Sequence, residues 1–335
     1  MNGIIVREFE KLIDQVRFNI DNSKLDVSKD YFRFKQLNHA LNIIKKFKKE
    51  IKDANDLKGI KGIGKGTLSR VDEILKTGKL SEIKLKEKDL LKLESVKKLE
   101  EVHGIGSKLA NKLVNEYGIT TVDQLINAYE SGLVALNEQV VLGLKYYGIA
   151  QRGIPREEMD QIYNFVAKVA LDLDPELFVT VSGSYRRLSL VSGDVDFLVV
   201  HPKIKTVNDI QIEDSYLVKL VNKLTDIGFL LDSLTRDDFK IEYMGFCRLG
   251  ENGIVRRIDI QYFPYNCFYA AWLFFTGSDN FNRQMRGLAK SLGFHLNRYG
   301  IFRVVNGEKI LIPTNSEKEI FDILGMEYLT PDKRV

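Results

Sequence analysis

Apolar positions recur at helical spacing from residue 5 to residue 146, so this half of the chain is expected to be all-α. The pattern breaks near Asp21–Asp30, Ala54–Gly66, Thr77–Leu80 and Gly104–Gly106, stretches that contain glycine or aspartate. After G-L-K-Y-Y-G at 143–148, Pro155 stands at a helix start and is followed by Glu157 and Glu158, which suit the positive end of a helix dipole. A new domain is expected there. From Phe178 onward β-rich runs take over: F-V-T-V-S, V-D-F-L-V-V, Y-M-G-F-C-R-L and R-R-I-D-I-Q-Y, with a helix around Asp214–Ile227 among them. A last α-plus-β segment runs from Tyr265 to Val335.

Within the helical half one pattern occurs twice. L-K-G-I-K-G-I-G-K-G-T-L-S-R-V from Leu57 is answered by L-E-E-V-H-G-I-G-S-K-L-A-N-K-L-V from Leu99, with Gly62 and Gly104, and Gly64 and Gly106, in corresponding places. Each copy predicts two short helices joined by a tight hairpin. Glycine lets backbone approach closely, and the N–H groups that open the following helix can face a phosphate oxygen. Such contacts position a nucleic acid without reading its sequence. The carbonyls of Lys58, Ile60 and Ile63, and of Glu100, Val102 and Ile105, line the two hairpins and are candidate ligands for a Na+ or K+ ion bridging to that phosphate.

The β-rich half carries the chemistry. Alternation in D-V-D-F-L-V-V puts Asp194 and Asp196 on one face of a strand, roughly 7 Å apart at Cα. Two carboxylates so placed repel unless cations lie between them, and two hard divalent ions about 3.5–4 Å apart are the usual solution. Asp259 is the candidate third carboxylate, since V-R-R-I-D-I-Q-Y places Ile258 and Ile260 on one strand face and Asp259 on the other. Upstream, S-G-S-Y-R-R offers a turn whose amides, Ser184 hydroxyl and Arg187 guanidinium match phosphate oxygens. The combination points to nucleotidyl transfer.

Composition narrows the setting. At 44% hydrophobic and 29% charged the chain is globular, and 335 residues allow two to four compact units. No apolar run approaches ~18 residues and Met1–Asn22 lacks a signal-peptide layout, so an intracellular protein without a membrane span is expected. Two cysteines, Cys247 and Cys267, and four scattered histidines argue against a disulfide framework or a structural zinc site. The net charge of +4 hides an asymmetry: residues 31–100 hold 19 Lys plus Arg against 10 Asp plus Glu, a local +9, so the other 265 residues sum to −5. K-K-F-K-K at 45–49 is either a solvated face or a site of salt-sensitive contact with a phosphate backbone.

Taken in order, G-L-K-Y-Y-G, I-P-R-E-E-M, G-S-Y-R-R, G-D-V-D, R-R-I-D-I, F-F-T-G-S-D-N-F-N-R-Q-M-R and S-E-K-E-I-F-D-I-L-G resemble the family X DNA polymerases over nearly the whole chain. The resemblance implies a multidomain fold. All-α helix-hairpin-helix domains come first, a lyase-like DNA-binding domain at 1–83 and a second DNA-binding subdomain at 84–148. An α+β nucleotidyltransferase palm at 149–262 and a small α+β C-terminal subdomain for the nascent base pair at 263–335 follow. By the same resemblance Asp194 and Asp196 ligate two Mg2+ ions, with Mn2+ as a substitute, while Asp259 binds the catalytic one and helps take up the primer 3′-hydroxyl proton. Ser184, Arg187, Ser192 and Gly193 hold the triphosphate; Phe274, Phe275 and Gly277 lie beside the sugar; Asp279 and Asn282 lie beside the base. Arg286 reaches the template minor groove, and Arg33, Lys65 and Arg257 are further DNA contacts.

The implied role is gap filling in DNA repair by a monomer acting on gapped or nicked double-stranded DNA with dNTP. A DNA ligase is an implied partner, and a nucleus or a DNA virus the implied setting. An end-joining or template-independent nucleotidyltransferase is the alternative. Departures from the family pattern matter too. Arg70 stands where a Schiff-base lysine belongs, and an arginine cannot supply the neutral amine; 5′-deoxyribose phosphate lyase activity is therefore expected to be absent or weak, unless Lys65, Lys76 or Lys79 substitutes. The short link G-E-N-G-I-V favours templated synthesis, and no BRCT-like segment is expected ahead of the polymerase core. Phe274 replaces a tyrosine of close family members, and Gly153 falls where an arginine near the triphosphate is expected, leaving Arg152 as a displaced replacement.

Overall fold

The computed structural model describes residues 2–23, 28–84, 86–149, 152–211, 215–235 and 240–334. Contacts divide the chain into two units, Met1–Leu144 and Lys145–Val335.

The first unit is helical throughout its described residues: α1 (Gly3–Asn22), α2 (Ser28–Lys46), α3 (Lys65–Thr77), α4 (Glu87–Glu100), α5 (Ser107–Tyr117), α6 (Val122–Glu130) and α7 (Glu138–Lys145), the last crossing the boundary by one residue. Ile5, Phe9, Leu12 and Val16 recur at a turn's spacing along α1 and form one core with Leu37, Leu41 and Ile44 of α2 and Val71 and Ile74 of α3. Left-handed glycines at Gly78 and Gly118 end α3 and α5, a conformation that costs other residues a Cβ clash. Apolar spacing alone did not separate α5, α6 and α7: Gly118 and Thr121, whose side chain accepts from the Gln124 N–H, set the first break, and Gly132, left-handed at φ +76°, with Asn137, whose Oδ1 accepts from the Val140 N–H, sets the second. The first hairpin also departs from two matched helices, because its leading element is a single 3-10 turn at Ala54–Leu57.

The second unit opens with β1 (Ile154–Pro155), α8 (Arg156–Leu173), β2 (Phe178–Val181), the one-turn α9 (Gly183–Arg186), β3 (Val191–Ser192) and β4 (Val195–His201). It continues with α10 (Tyr216–Asp226), β5 (Leu230–Ser233), β6 (Glu242–Cys247) and β7 (Arg256–Pro264). The helix expected around Asp214–Ile227 is α10; Asp214 lies outside the described residues. Five strands make one sheet in the order β2-β4-β7-β6-β5, in which only the β4–β7 pair is parallel. Odd positions of β4 (Val195, Phe197, Val199) and even positions of β7 (Ile258, Ile260, Tyr262) face α8 and α10 and are fully buried with them. On the opposite sheet face Leu198, Val200 and Phe263 pack with Ala271 and Trp272 of α11 (Phe268–Thr276).

Beyond α11 come α12 (Asp279–Ser291), an antiparallel sheet of β8 (Phe294–Asn297), β9 (Gly300–Val305) and β10 (Glu308–Ile312), and α13 (Glu317–Ile323). Phe281, Met285 and Ala289 of α12 close a separate core with Ile301, Ile320 and Phe321. Among the described residues no helix is long and apolar enough to cross a membrane.

Candidate active site

The parallel register of β4 and β7 sets Asp196 directly beside Asp259. Strand β4 begins at Val195, so Asp194 lies one residue ahead of it, in the bend that leads in, and the strand expected to contain both aspartates holds only Asp196. The bend still turns the Asp194 carboxylate inward: ligand oxygens of Asp194, Asp196 and Asp259 all lie within 4.8 Å of one another.

Burial dominates their electrostatics. It raises the Asp194 carboxyl above its ordinary value, and with the charges of Asp194 and Asp259 it pushes Asp196 up to about 7. Arg257 offsets this in part, donating from Nη2 to Asp259 Oδ2 at 2.9 Å. Asp259 Oδ1 is buried with no hydrogen-bond partner. Three crowded carboxylates, one with an orphaned oxygen, are an all-oxygen donor set that fits a hard divalent cation such as Mg2+.

The floor of a cleft of about 350 Å³ carries Asp194 and Asp196, and its walls carry Gly183, Ser184, Arg187, Phe274, Phe275, Gly277, Ser278, Asp279, Asn282 and Arg286. Ser184 sits on α9, whose approach is fixed by the Ser182 N–H donating to the Asp196 carbonyl at 2.8 Å. Gly183 was not singled out from sequence, yet it is obligatory: at φ +55° an added Cβ would lie 2.1 Å from Asp196 Oδ2. Arg187 spans the cleft to α11 and donates from Nη1 to the Thr276 carbonyl at 2.5 Å. Asn282 Nδ2 donates to the Phe274 carbonyl at 2.6 Å, the Phe274 and Phe275 rings meet edge to face, and the Arg286 guanidinium stands 5.7 Å from the Phe274 ring centroid.

The structure thus gathers seven of the nine expected nucleotide-side residues with Asp194, Asp196 and Arg286. Ser192 and Gly193 lie outside the cleft wall; Ser192 is buried where β3 pairs with β1. Gly153 has a packing reason to be glycine, because a Cβ there would sit 2.3 Å from Val191 Cγ1. Arg152 is exposed and does not line the cleft; its carbonyl accepts from Arg256 Nη1 at 2.7 Å.

In the first unit the two hairpins share three backbone hydrogen bonds at corresponding positions. Ile60 N–H to Leu57 O, Ile63 N–H to Ile60 O and Leu68 N–H to Gly64 O correspond to Val102 to Leu99, Ile105 to Val102 and Ala110 to Gly106. Gly62 and Gly104 are left-handed at φ +98° and +86°, while Gly64 and Gly106 cap α3 and α5 with nearly equal dihedrals. Nothing lies within 4 Å of a Cβ added at Gly64 or Gly106, so the backbone there is bare toward solvent. Arg70 and Arg33 both pair with Glu82, Arg70 through Nε and Nη2 and Arg33 through Nη2 at 2.7 Å.

Comparison with known proteins agrees with this layout. Residues 7–80 match a helix-hairpin-helix domain, 97–151 the fingers domain of DNA polymerase lambda, 153–265 the DNA polymerase beta palm and 271–335 the DNA polymerase beta thumb. The chain belongs to the family X DNA polymerases. Among its relatives are DNA polymerase lambda of Arabidopsis thaliana, 31% identical over 311 residues, and of Rattus norvegicus, 33% identical over 310. The human DNA-directed DNA/RNA polymerase mu is 27% identical over 326 residues. Each match covers 88% of this chain and, in that order, 56%, 51% and 63% of the relative. The chain spans about half the length of the two lambda relatives it matches. As a family X chain it carries its three clustered carboxylates on the segment that matches the palm, and the Phe274–Arg286 wall on the segment that matches the thumb.

Proposed function

We propose that this protein is a template-directed DNA polymerase that fills short gaps in DNA repair, transferring the nucleotidyl group of a dNTP to a primer 3′-hydroxyl with release of pyrophosphate. The observation that carries the reading is the three-carboxylate cluster, two members of which, Asp194 and Asp196, floor a cleft lined by Ser184, Arg187 and residues of the Phe274–Asn282 segment. Asp194, Asp196 and Asp259 would hold divalent cations, Mg2+ by preference, with Mn2+ able to replace it. Such ions stabilise charge on the attacking and leaving oxygens of an in-line displacement.

The remaining work falls to the chain itself. Arg187 and the Ser184 hydroxyl bind the triphosphate as donors from the cleft wall, and the Ser192–Gly193 segment is proposed to join them when the triphosphate is bound. Phe274, Phe275 and the Gly277 backbone flank the sugar and exclude a 2′-hydroxyl. Asp279 and Asn282 position the base, and Arg286 approaches the template strand. Asp259 accepts the primer hydroxyl proton at its carboxylate. Arg33, Gly62, Gly64, Lys65, Gly104, Gly106 and Arg257 contact the DNA, with Na+ or K+ on the hairpin carbonyls of Lys58, Ile60, Ile63, Glu100, Val102 and Ile105.

Lyase activity is proposed to be absent or weak. Arg70 is engaged by Glu82, and Lys76 is held charged by its hydrogen bond to Asp72, which raises its pKa and disfavours the neutral amine. Borohydride trapping on a 5′-deoxyribose phosphate end tests this, and a strong covalent adduct would refute it.

The main test is single-nucleotide insertion on a one-base gap with a 5′-phosphate, varying the template base, beside a plain single strand. Insertion that follows the template and needs the gap is the expected result. Template-indifferent extension of the single strand would overturn it in favour of a terminal transferase. The connection between β6 and β7, residues 248–255, is short, which supports templated synthesis.

A further inference from the structure

The wall of the cleft on the nucleotide side is fastened from behind by residues that do not line it. Arg186 stacks on the Trp272 ring at 3.4 Å and donates from Nη1 to Thr276 Oγ1 at 2.7 Å and to Glu317 Oε1 at 2.6 Å, and from Nη2 to Glu317 Oε2 at 2.8 Å. The same carboxylate is gripped from its other side by Arg334, through Nη1 at 2.9 Å and Nη2 at 3.1 Å. Glu317 is 5% exposed and Arg334 fully buried. Burial opposes ionisation of Glu317, and the two guanidiniums overcome it to hold the carboxyl below its ordinary value. Arg334 is itself anchored by donating from Nε to the Leu329 carbonyl at 2.9 Å.

Both ends of this relay terminate on Thr276–Ser278. Thr276 receives Arg186 on its hydroxyl and Arg187 on its carbonyl, while the Ser278 N–H donates to the Arg334 carbonyl at 3.0 Å. Between them lies Gly277, at φ +68°, where an added Cβ would stand 3.3 Å from Arg187 Nη1. The spacing between the Gly277 backbone and Arg187 is therefore set on both sides by a single buried charge network. Buried ion networks are often no more stabilising than well-packed apolar side chains of similar volume, so a buried arginine pair on one carboxylate is weak evidence of a stability role and points instead to a positioning one.

We propose that Arg334 is a positioning residue for the incoming nucleotide, acting through Glu317 and Arg186 to hold Thr276–Ser278 against Arg187. The proposal rests on the polymerase reading above and adds a residue outside the cleft to it. Small displacements of a binding wall cost rate steeply, of the order of a hundredfold per ångström.

The test is steady-state insertion on a one-base gap by the full chain, comparing the parent with Arg334→Met, Arg334→Lys, Glu317→Gln and the double variant Glu317→Gln/Arg334→Met. Arg334→Met is expected to raise KM for dNTP by about tenfold and to lower the preference for dNTP over rNTP, with DNA affinity unchanged. Arg334→Lys should rescue the KM only in part, because it restores charge without the forked geometry. In the Glu317→Gln background, Arg334→Met should add little, since the relay is already cut. A folded Arg334→Met with dNTP KM and sugar preference within about twofold of the parent would overturn the proposal, as would fully additive effects. Should Arg334→Met fail to fold, the double variant, which leaves no unpaired carboxylate, decides: a raised dNTP KM supports the relay and a parental one overturns it. An inactive parent would remove the polymerase reading and this proposal together, whereas an active parent with indifferent variants removes this proposal alone.

Discussion

Asp259 is the residue on which the site turns, because its register beside Asp196 completes the carboxylate cluster and its Oδ1 is the orphaned oxygen. Asp259→Ala is expected to reduce insertion by about a thousandfold or more, the several kcal/mol that a metal-centred charge clamp supplies. DNA affinity in a gel-shift assay should stay near the parent's. Asp196 makes a separate prediction. Its folded value of about 7 stands above the ordinary 3.8, so without a divalent ion the folded state loses stability as pH rises from 3.8 through about 7. A cation that binds the charged carboxylates reverses this. Mg2+ should therefore raise the melting temperature more at about pH 8 than at about pH 5.5, and an equal shift at both would refute the coupling.

At the scale of elements, the two hairpins separate fold from contact. Gly62 is left-handed with His39 Nε2 2.3 Å from where a Cβ would be, and Gly104 is left-handed against Val140. Gly62→Ala and Gly104→Ala should each destabilise the protein by about 1–3 kcal/mol, measured by denaturant unfolding. Gly64 and Gly106 have ordinary φ and open space, so Gly64→Ala and Gly106→Ala should cost less than about 1 kcal/mol while weakening DNA binding, since the methyl shields the bare amides. The reverse ranking in paired stability and binding measurements would contradict the phosphate-gripping role.

Across the molecule, positive charge and carboxylate chemistry occupy different units. The local +9 of residues 31–100 belongs to Met1–Leu144, and the aspartate cluster belongs to Lys145–Val335. DNA affinity should therefore fall steeply with salt, by a log–log slope of about −0.9 for each phosphate neutralised. Replacing Lys45, Lys46, Lys48 and Lys49 by alanine should flatten that slope without altering dNTP KM on saturating DNA. A slope unchanged by these replacements would make K-K-F-K-K a solvated face, as the Lys45–Glu10 pair already makes part of it.

What the sequence determined by itself is what depends on short spans: the helical half, the matched hairpins 42 residues apart, the strands bearing Asp196 and Asp259, and the basic segment. Periodicity and glycine placement are local physics, and they were legible. The separation of α5, α6 and α7 was less so, because the capping side chains of Thr121 and Asn137 and the left-handed Gly118 and Gly132 each act within one turn and leave the apolar spacing nearly unbroken. Tertiary structure alone decided that β4 and β7 are parallel neighbours, which turns two distant motifs into one cluster. It alone showed why Gly153 and Gly183 carry no side chain, since Val191 and Asp196 already fill those places. It alone joined Arg186 to Glu317 and Arg334, residues 131 and 17 positions apart across one carboxylate. Charges so far apart in the chain meet only when packing brings them together, and no pattern along the sequence encodes that distance.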